Sequence, residues 1–599
     1  MGETSDRAIP FPAGSFVTGD RGQDPVGKPE GPPPPLAAGH PLPESGKVLG
    51  TRDSQPLDFW VAVDDDRYLQ LDDVIAVPTT LPEPLADGKI EVMHYGVVDE
   101  VRSAYEGASF HSDVFRVEDG QLPVGLSTIA HVAVTRIEPE VFIPPRPGRP
   151  VRRANEEDRK VALYFDQMKH RFPAGLSRDG QPIYGNLDFL DGTSGAHVNI
   201  SGISGVATKT SYALFLLYGL FHGGAFSNGR AAHAIVFNVK GEDLLWLDRP
   251  NSRLDEKDPL ARTKYEALGL PVQPFRSVGL WAPAKGAAAL PATGNLRQGV
   301  SSYYWTLREF CRERLLGFLF TETDDESSQL SYVIGLVERH LEDATKDASP
   351  DAPWVRFGDK RVNDFDDLVD YLTEHVAQIA QHAAESTLGA FNRRLHGAAL
   401  GVGDLIRGER ESEAKDHRFD WADKQISVID ISRLNERAKR FVVGVVVKRL
   451  MEDKEHQASP DPLVFLVLDE LNKYAPRDGR SPIKDVLLDI AERGRSLGVV
   501  LIGAQQTASE IERRITANAS FRVVGRLDTA EGQRDEYGYL TPQARARSAL
   551  LKPGSMFLSQ PDVPVPLMVQ FPFPAWATRS DEAASVPTDG DIPFIFRNS

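Results

Sequence analysis

The sequence predicts an α/β protein whose mostly parallel sheet is preceded by a small all-β barrel and interrupted by a helical insertion. Several short apolar runs separated by helical stretches indicate the sheet, among them 198–200, 234–239 and 463–468. Short strand-like runs with turn residues between them indicate the barrel, and apolar residues at helical spacing indicate the insertion. The 599 residues are enough for several domains.

Composition limits the class of protein. An apolar content of 41% and a charged content of 26% are typical of a soluble globular chain. The single cysteine, Cys311, excludes an intramolecular disulfide framework, and no Cys or His spacing indicates a metal site of its own. No run approaches the ~20 apolar residues of a membrane span, and the polar start does not resemble a signal peptide, so we expect a cytoplasmic protein. The net charge of −18 argues against nucleic acid bound over the whole outer surface, but not against a locally basic channel.

Changes in composition along the chain predict its domain boundaries. The first segment is rich in Pro and Gly with few bulky apolar residues, so we expect it to be disordered. The Pro-rich, apolar C-terminus is expected to be an extended arm that packs on a neighbouring subunit. The predicted divisions are the disordered segment 1–53, the barrel 54–153, the first half of the core 154–254, the helical-bundle insertion 255–422, the second half of the core 423–555 and the arm 556–599.

The stretch 197–211 predicts a phosphate-binding loop. An apolar run gives way to a glycine-bearing turn and then to a helix-like apolar stretch, so that backbone N–H groups and the helix N-terminus can face an anion. Thr208 stands where the usual G-x-x-x-x-G-K-[ST] spacing has glycine, and an ordinary strand-turn-helix is the alternative interpretation. The residues predicted to bind the nucleotide are Gly202, Gly205, Val206, Ala207, Thr208, Lys209, Thr210 and Ser211.

A second stretch, 462–470, favours the nucleotide site. Its continuous apolar run suits a central strand of a parallel sheet, and ligands of such sheets bind at the carboxyl ends of the strands. Asp469, together with the hydroxyl of Thr210, would bind Mg²⁺, and Glu470 would polarise the attacking water. An acidic turn after a strand is the alternative interpretation.

Two further patterns near the end of the core suggest catalytic roles. Gln505 and Gln506 follow the apolar run 499–503 and would sense the γ-phosphate or hold the water, with a plain surface amide as the alternative. Arg495, just before that run, is a candidate to stabilise transition-state charge on a neighbouring subunit's nucleotide. Arg493 and Arg526 are alternative candidates for that role, and a surface helix end is the plain alternative.

Together these motifs resemble the HerA/FtsK group of proteins, and HerA-type members most closely. The resemblance rests on 195–202, 239–242, 468–470, 493–499 and 505–506. It implies a homo-hexameric ring ATPase with a RecA-like core, ATP and Mg²⁺ as its ligands, and a barrel that docks a NurA-type nuclease. Carried over to this sequence, it implies the phosphate-loop pair Lys209 and Thr210, the acidic pair Asp469 and Glu470, the trans-acting Arg495 and the sensor Gln505 or Gln506.

The resemblance therefore predicts an ATP-driven translocase of double-stranded DNA that works with a NurA-type nuclease in DNA end resection for recombinational repair. One alternative is a ring-shaped NTPase scaffold that assembles a partner effector in a defence complex without moving DNA. Another is a conjugation- or segregation-type DNA pump, but such pumps usually bring membrane spans and we expect no membrane partner. ATP turnover stimulated by DNA would separate the translocase from the scaffold.

Overall fold

The computed structural model of the chain describes residues 43–80, 91–203, 209–226, 229–241, 243–293, 297–320, 328–346, 352–408 and 417–583. Most of the segment that we expected to be disordered, residues 1–42, therefore lies outside the described part. The same holds for four of the predicted nucleotide-binding residues, namely Gly205, Val206, Ala207 and Thr208.

Six antiparallel strands close into a barrel: β1 (Glu44–Val48), β2 (Asp58–Val63), β3 (Val74–Thr80), β4 (Glu91–Glu106), β5 (Gly125–Glu138) and β6 (Pro150–Arg153). Their order around the barrel is β1-β2-β5-β4-β3-β6, and a short helix, α1 (Asp113–Glu118), lies between β4 and β5. Inward-facing residues such as Phe59, Val61 and Val132 are fully buried, as a small closed barrel requires. The barrel that the sequence predicts is confirmed.

Strand β1 begins at Glu44, ahead of the barrel start that we expected at residue 54. Its sequence Glu-Ser-Gly-Lys-Val contains a single strong β-former, so composition gives little sign of a strand. Gly46 is needed there because a Cβ would lie only 2.1 Å from the carbonyl oxygen of Ala62 on β2. Gly46 therefore weakens the strand signal in the sequence, yet it is the residue that allows β1 and β2 to approach each other.

The segment after the barrel supplies the first strands and helices of the core. Among them, the helix after the predicted phosphate loop is buried along most of its length. Because that helix is apolar on all faces, the core encloses it rather than leaving one side in solvent. The elements are α2 (Glu156–Ala162), β7 (Arg171–Leu176), β8 (Pro182–Asn186), β9 (Val198–Ser201), α3 (Lys209–His222), β10 (Ala232–Asn238), α4 (Leu254–Lys257) and α5 (Ala261–Ala267).

Residues 255–422 differ from the helical bundle that we expected, because strands alternate with the helices. After α5 the chain forms β11 (Val278–Lys285), β12 (Leu290–Pro291), β13 (Val300–Tyr303), β14 (Trp305–Thr306), α6 (Leu307–Arg312), α7 (Ser328–Asp343), β15 (Val355–Phe357), β16 (Lys360–Val362), α8 (Phe365–Ile379), α9 (Glu385–Val402) and β17 (Ile406–Arg407). Gly279 and Pro283 interrupt β11, and both residues weaken a strand signal. The predicted helical stripes do lie on α7 and α8, where Val337 and Leu372 are buried.

The second half of the core contains β18 (Ile426–Asp430), α10 (Glu436–Gln457), β19 (Leu463–Asp469), α11 (Pro482–Leu497), β20 (Val499–Gln505), α12 (Arg513–Ala517), β21 (Phe521–Val524), α13 (Thr529–Gly532), α14 (Pro542–Ser548), β22 (Ser555–Gln560) and β23 (Val563–Gln570). The central sheet has the order β12-β11-β18-β10-β19-β20-β9-β21-β22-β23-β7-β8, with β13 beside β11. From β11 to β21 the strands along this path are parallel, and from β22 to β8 they are antiparallel.

The order of the parallel strands places the predicted motifs. The loop strand β9 and the acid strand β19 are separated by β20, and all three end at the same edge of the sheet. One strand between the loop strand and the acid strand is the arrangement of a RecA-like core. The predicted fold class, an α/β RecA-like core preceded by a barrel, is therefore confirmed.

The C-terminus differs from the arm that we expected over 556–599. Strands β22 and β23 extend the chain's own sheet, and the residues after them return along the segment that follows β10. Ala577 N donates to Arg249 O at 2.8 Å, Asn251 N donates to Ala575 O at 3.0 Å, and Trp576 is fully buried. The apolar residues of this segment therefore fill the chain's own core as far as residue 583, and residues 584–599 lie outside the described part.

Candidate nucleotide site

The strand that leads to the phosphate loop is tied to both of its neighbours at the carboxyl edge. Gly202 N donates to the carbonyl oxygen of Gln505 at 3.1 Å, and Ile203 N donates to that of Arg526 at 2.7 Å. A Cβ on Gly202 would lie 3.3 Å from Arg526 O, which leaves little room for a side chain. The beginning of the loop is therefore fixed by strands β20 and β21.

Lys209 opens helix α3 and points back toward the loop. Its side chain is buried, and Nζ donates to the carbonyl oxygen of Gly202 at 2.7 Å. Burial lowers the pKa of Lys209, and the nearby carboxylate of Asp469 opposes that shift. An ammonium at the N-terminus of a helix that follows a strand is suited to binding the outer phosphates of a nucleotide.

Thr210 and Asp469 meet although 259 positions separate them in the sequence. Thr210 Oγ1 donates to Asp469 Oδ2 at 2.9 Å, while Asp469 Oδ1 accepts from Glu470 N at 2.8 Å. A hydroxyl and a carboxylate oxygen converging at a phosphate loop are hard ligands, which Mg²⁺ prefers together with water and phosphate oxygens. The two residues predicted to bind the metal are thus brought together, and their chemistry fits it.

Glu470 follows Asp469 in a left-handed backbone conformation, with φ 57° and ψ 41°. Such a conformation costs of order 1 kcal/mol for a non-glycine residue and is found most often at functional sites. Its carboxylate lies between two lysines, with Oε1 3.4 Å from Lys240 Nζ and Oε2 2.7 Å from Lys473 Nζ. Burial alone would raise the pKa of Glu470, but Lys473 and Lys240 outweigh it and hold the pKa below its usual value.

The two glutamines at the end of β20 differ in their surroundings. Gln505 is fully buried, and its Nε2 donates to Ser201 Oγ at 2.9 Å and to the side-chain oxygen of Asn199, so it ties β20 to β9. Gln505 Oε1 is also buried, without a hydrogen-bond partner among the residues that the structure describes. Gln506 is exposed beyond the strand end. Gln505 is thus placed at the base of the loop, and Gln506 faces solvent at the same edge.

Arg495 lies at the opposite edge of the sheet. It lies in the last turn of helix α11, just before β20 begins, and the seven residues of that strand span about 20 Å. Its guanidinium donates from Nε to Gly192 O at 2.8 Å and from Nη2 to Thr193 O at 2.6 Å. Arg495 is therefore not brought to the nucleotide site of its own chain. Nor is Arg493, which pairs with Asp489 and Glu455. Arg526 lies two residues after the end of β21, at the loop edge, where its carbonyl oxygen accepts from Ile203 N.

A cavity of about 880 Å³ extends from these residues, a volume typical of small-molecule sites. Lys209, Thr210 and Asp469 line one part of it. Another part has an apolar wall that the sequence did not predict, formed by Leu214 on α3 and by a C-terminal group of residues. That group comprises Pro553, Phe571, Pro572, Phe573 and Pro574.

Sequence reasoning also missed Lys240 and Lys473 as partners of the acid pair. The one available signal for Lys240 was its place after a strand, where polar residues collect at the ligand-binding edge. Glu242, two residues further on, lies outside the described residues. Within the part of the chain that the structure describes, no group of His, Cys, Asp and Glu side chains forms a separate metal site, and no helix has the length and apolarity needed to cross a membrane.

No protein-family model matches the chain. A probable helicase of Methanocaldococcus jannaschii is 19% identical over 196 residues, which is 30% of this chain and 38% of that protein. The chain thus spans well under half the length of this relative.

Solved structures that resemble the chain include VirB4 of Thermoanaerobacter pseudethanolicus, with 16% identity and a TM-score of 0.41 over 67% of this chain and 96% of that one. The bacterial conjugative coupling protein TrwB in complex with sulphate gives 13% identity and a TM-score of 0.44 over 71% and 94%. TrwB in complex with ADP and Mg²⁺ gives 14% identity and a TM-score of 0.39 over 69% and 95%. With TM-scores below 0.5, these superpositions are loose.

Proposed function

We propose that the chain is an ATP hydrolase that forms a homo-hexameric ring and moves double-stranded DNA. The assignment as a hydrolase rests on one observation. Four residues lie together at one edge of the sheet, namely Lys209, Thr210, Asp469 and Glu470. Together they offer a cation for phosphates, two oxygen ligands for Mg²⁺ and a carboxylate for the attacking water.

Each of these residues has a separate role. Lys209 binds the outer phosphate oxygens in place of the carbonyl of Gly202. Thr210 and Asp469 hold Mg²⁺, which when bound stabilises the charge on the phosphates. Glu470 orients the attacking water and accepts its proton, while the water oxygen bonds to the γ-phosphorus and the bond to the β–γ bridging oxygen breaks, which leaves ADP and phosphate. The lowered pKa of Glu470 keeps this carboxylate ionised at neutral pH.

The base of the substrate is assigned to the apolar part of the cavity, between Leu214 and the C-terminal wall. Phe571 is supported there by Tyr212 and Phe215 of α3, whose ring centroids lie 5.2 and 5.7 Å from its own. A ring held by buried aromatic neighbours offers a fixed flat surface on which a base can stack. The C-terminal segment thus contributes to substrate binding in its own chain.

The position of Arg495 supports the proposed ring. This residue is separated from its own site by the length of β20, so on this proposal it acts on the nucleotide of the neighbouring subunit. Arginines supplied in trans contribute roughly 10³–10⁵ in rate in studied NTPases.

The probable helicase similar to 30% of this chain supports DNA as the cargo. The barrel is the proposed surface for a NurA-type nuclease, which would place the translocase in DNA end resection.

Turnover of ATP by Glu470→Gln tests the site. We expect a loss of about 10²–10⁴ in rate, the contribution of a positioned general base, with nucleotide binding retained. Glu510→Gln is the matched control. Glu510 is exposed in the loop after β20, and its carboxylate accepts a hydrogen bond from Asn472 but contacts neither Lys240 nor Lys473. Unchanged turnover in Glu470→Gln would refute the assignment.

DNA affinity should fall with salt, with a log–log slope of about −0.9 for each phosphate contact, and a flat response would argue against contact with the DNA backbone.

A second candidate is a ring-shaped NTPase scaffold that assembles a partner effector in a defence complex without moving DNA. One sequence feature favours it, namely Thr208 in place of the loop glycine, which suits slow turnover that serves assembly. Turnover that linear duplex DNA stimulates, and that blocked DNA ends slow, supports the translocase. Turnover indifferent to DNA supports the scaffold.

A further inference from the structure

Lys240 extends from a turn that its neighbours brace. It stands two residues after Asn238, whose Nδ2 donates to the carbonyl oxygen of Gly241 at 2.9 Å and to Asp430 Oδ1 at 3.0 Å. Gly241 has φ +55°, a conformation that glycine adopts without steric cost. The braced turn directs the side chain of Lys240 toward the end of the neighbouring strand β19.

The ammonium of Lys240 lies between the two carboxylates of the acid pair. Its Nζ is 3.5 Å from Asp469 Oδ2 and 3.4 Å from Glu470 Oε1. Asp469 Oδ2 also accepts the hydrogen bond from Thr210, so the lysine stands beside the oxygen that the proposed function gives to Mg²⁺. The side chain of Lys240 is 50% exposed, which leaves it free to change partners without opening the core.

The position of the Lys240 ammonium beside Asp469 Oδ2 is incompatible with Mg²⁺ bound to that oxygen. An ammonium and a divalent cation cannot share one carboxylate oxygen without strong repulsion. The four-carbon stem of a lysine lets its point charge move to another anion. The anion that the proposed site would bring closest is the terminal phosphate, placed between Lys209 and Asp469. Lys473 differs, because it holds the other oxygen of Glu470 at 2.7 Å and has Glu436 as a second partner.

We propose that Lys240 is a phosphate-contacting residue that exchanges partners. It neutralises Asp469 and Glu470 when no substrate is bound, and its ammonium contacts the terminal phosphate when substrate is bound. The exchange leaves Glu470 Oε1 available for water only when a triphosphate occupies the site. The inference rests on the proposed function and adds to it a residue that distinguishes triphosphate from diphosphate.

Equilibrium binding tests the contact without recourse to activity. Affinities for a non-hydrolysable ATP analogue and for ADP, each with Mg²⁺, are measured for wild type, Lys240→Met, Lys240→Arg and Lys473→Met. In Lys240→Met we expect the analogue to bind about 10-fold more weakly or worse, as for loss of a hydrogen bond between charged groups, and ADP to bind within about twofold of wild type. Lys240→Arg restores most of the difference. Lys473→Met, which removes a lysine from Glu470 but not from Asp469, leaves the ratio of the two affinities unchanged.

The outcomes separate this inference from the proposed function. If Lys240→Met changed both affinities by the same factor, so that their ratio equalled that of wild type, the contact would be overturned. A loss of discrimination in Lys473→Met as large as in Lys240→Met would overturn it too, because the effect would then belong to the general charge of the site. Failure of the wild type to bind either nucleotide would overturn the proposed function, and this inference with it.

Discussion

Trp576→Ala tests whether the C-terminal segment packs on its own chain. Trp576 is fully buried, with its ring centroid 4.7 Å from that of Tyr218 and 4.8 Å from that of Phe275. Replacing a buried Phe or Trp by alanine costs about 3–5 kcal/mol. We expect the upper part of this range, because both aromatic partners belong to the core and cannot collapse into the space without disturbing it.

The assay is urea unfolding of the variant and of a matched control. Trp354→Ala is suitable, since Trp354 is only half-buried and its ring lies against the guanidinium of Arg361, 4.2 Å from the ring centroid. Loss of such a contact costs about 1 kcal/mol. Nucleotide affinity should also fall in Trp576→Ala alone, because Phe573 and Thr578 on either side of it line the cavity.

Protein concentration provides the refuting result. If the segment packed on a neighbouring subunit instead, the free energy of unfolding lost in Trp576→Ala would depend on protein concentration by mass action. A loss no larger than that of Trp354→Ala would equally contradict burial in the chain's own core. A large loss that is independent of concentration is the result that the structure predicts.

Arg495→Ala should lose about 10³-fold or more in ATP turnover with nucleotide binding retained. Mixing it with Glu470→Gln subunits should restore part of the turnover, because those subunits would supply the missing arginine, and no recovery would contradict action in trans. Burial lowers the pKa of His197 to about 4, while its ring accepts a hydrogen bond from Leu501 N. Below its ordinary pKa of about 6.5 the unfolded chain therefore takes up a proton that the folded chain does not, so the free energy of unfolding should fall as the pH drops from about 6.5 to about 4. His197→Asn should flatten that dependence in urea titrations, and an unchanged slope would show that other groups cause it.

What the sequence could predict was chemistry carried by contiguous residues. Lys209 and Thr210 after a glycine turn, and Asp469 and Glu470 after a buried run, each form a motif whose order along the chain fixes its place at the carboxyl edge. The parallel sheet then brings the two motifs together, because strands β9 and β19 must end at the same edge whatever lies between them in the sequence.

What the sequence could not predict depends on partners distant in the chain. The role inferred for Lys240 depends on its contact with Asp469, 229 positions away in the sequence. A single lysine after a strand has no sequence pattern from which that contact could be predicted. The C-terminal segment was misassigned for a related reason. A Pro-rich apolar stretch looks the same whether it packs on its own chain or on another, and only contacts such as that between Trp576 and Tyr218 decide the matter.

The proposed function also constrains the symmetry of the assembly. Glu470 and Arg495 lie at opposite edges of one sheet, about 20 Å apart along β20, so a contact that joins them uses two different faces of the subunit. Such a head-to-tail contact generates a closed ring when its rotation closes, whereas a twofold dimer would bury the same face twice. In a twofold dimer that buries only one of these two edges of the sheet, no Arg495 would reach the site of its partner. A complex with a non-hydrolysable ATP analogue that proved to be a twofold dimer of that kind would therefore leave Arg495 without a role, and the proposed ring without its main support.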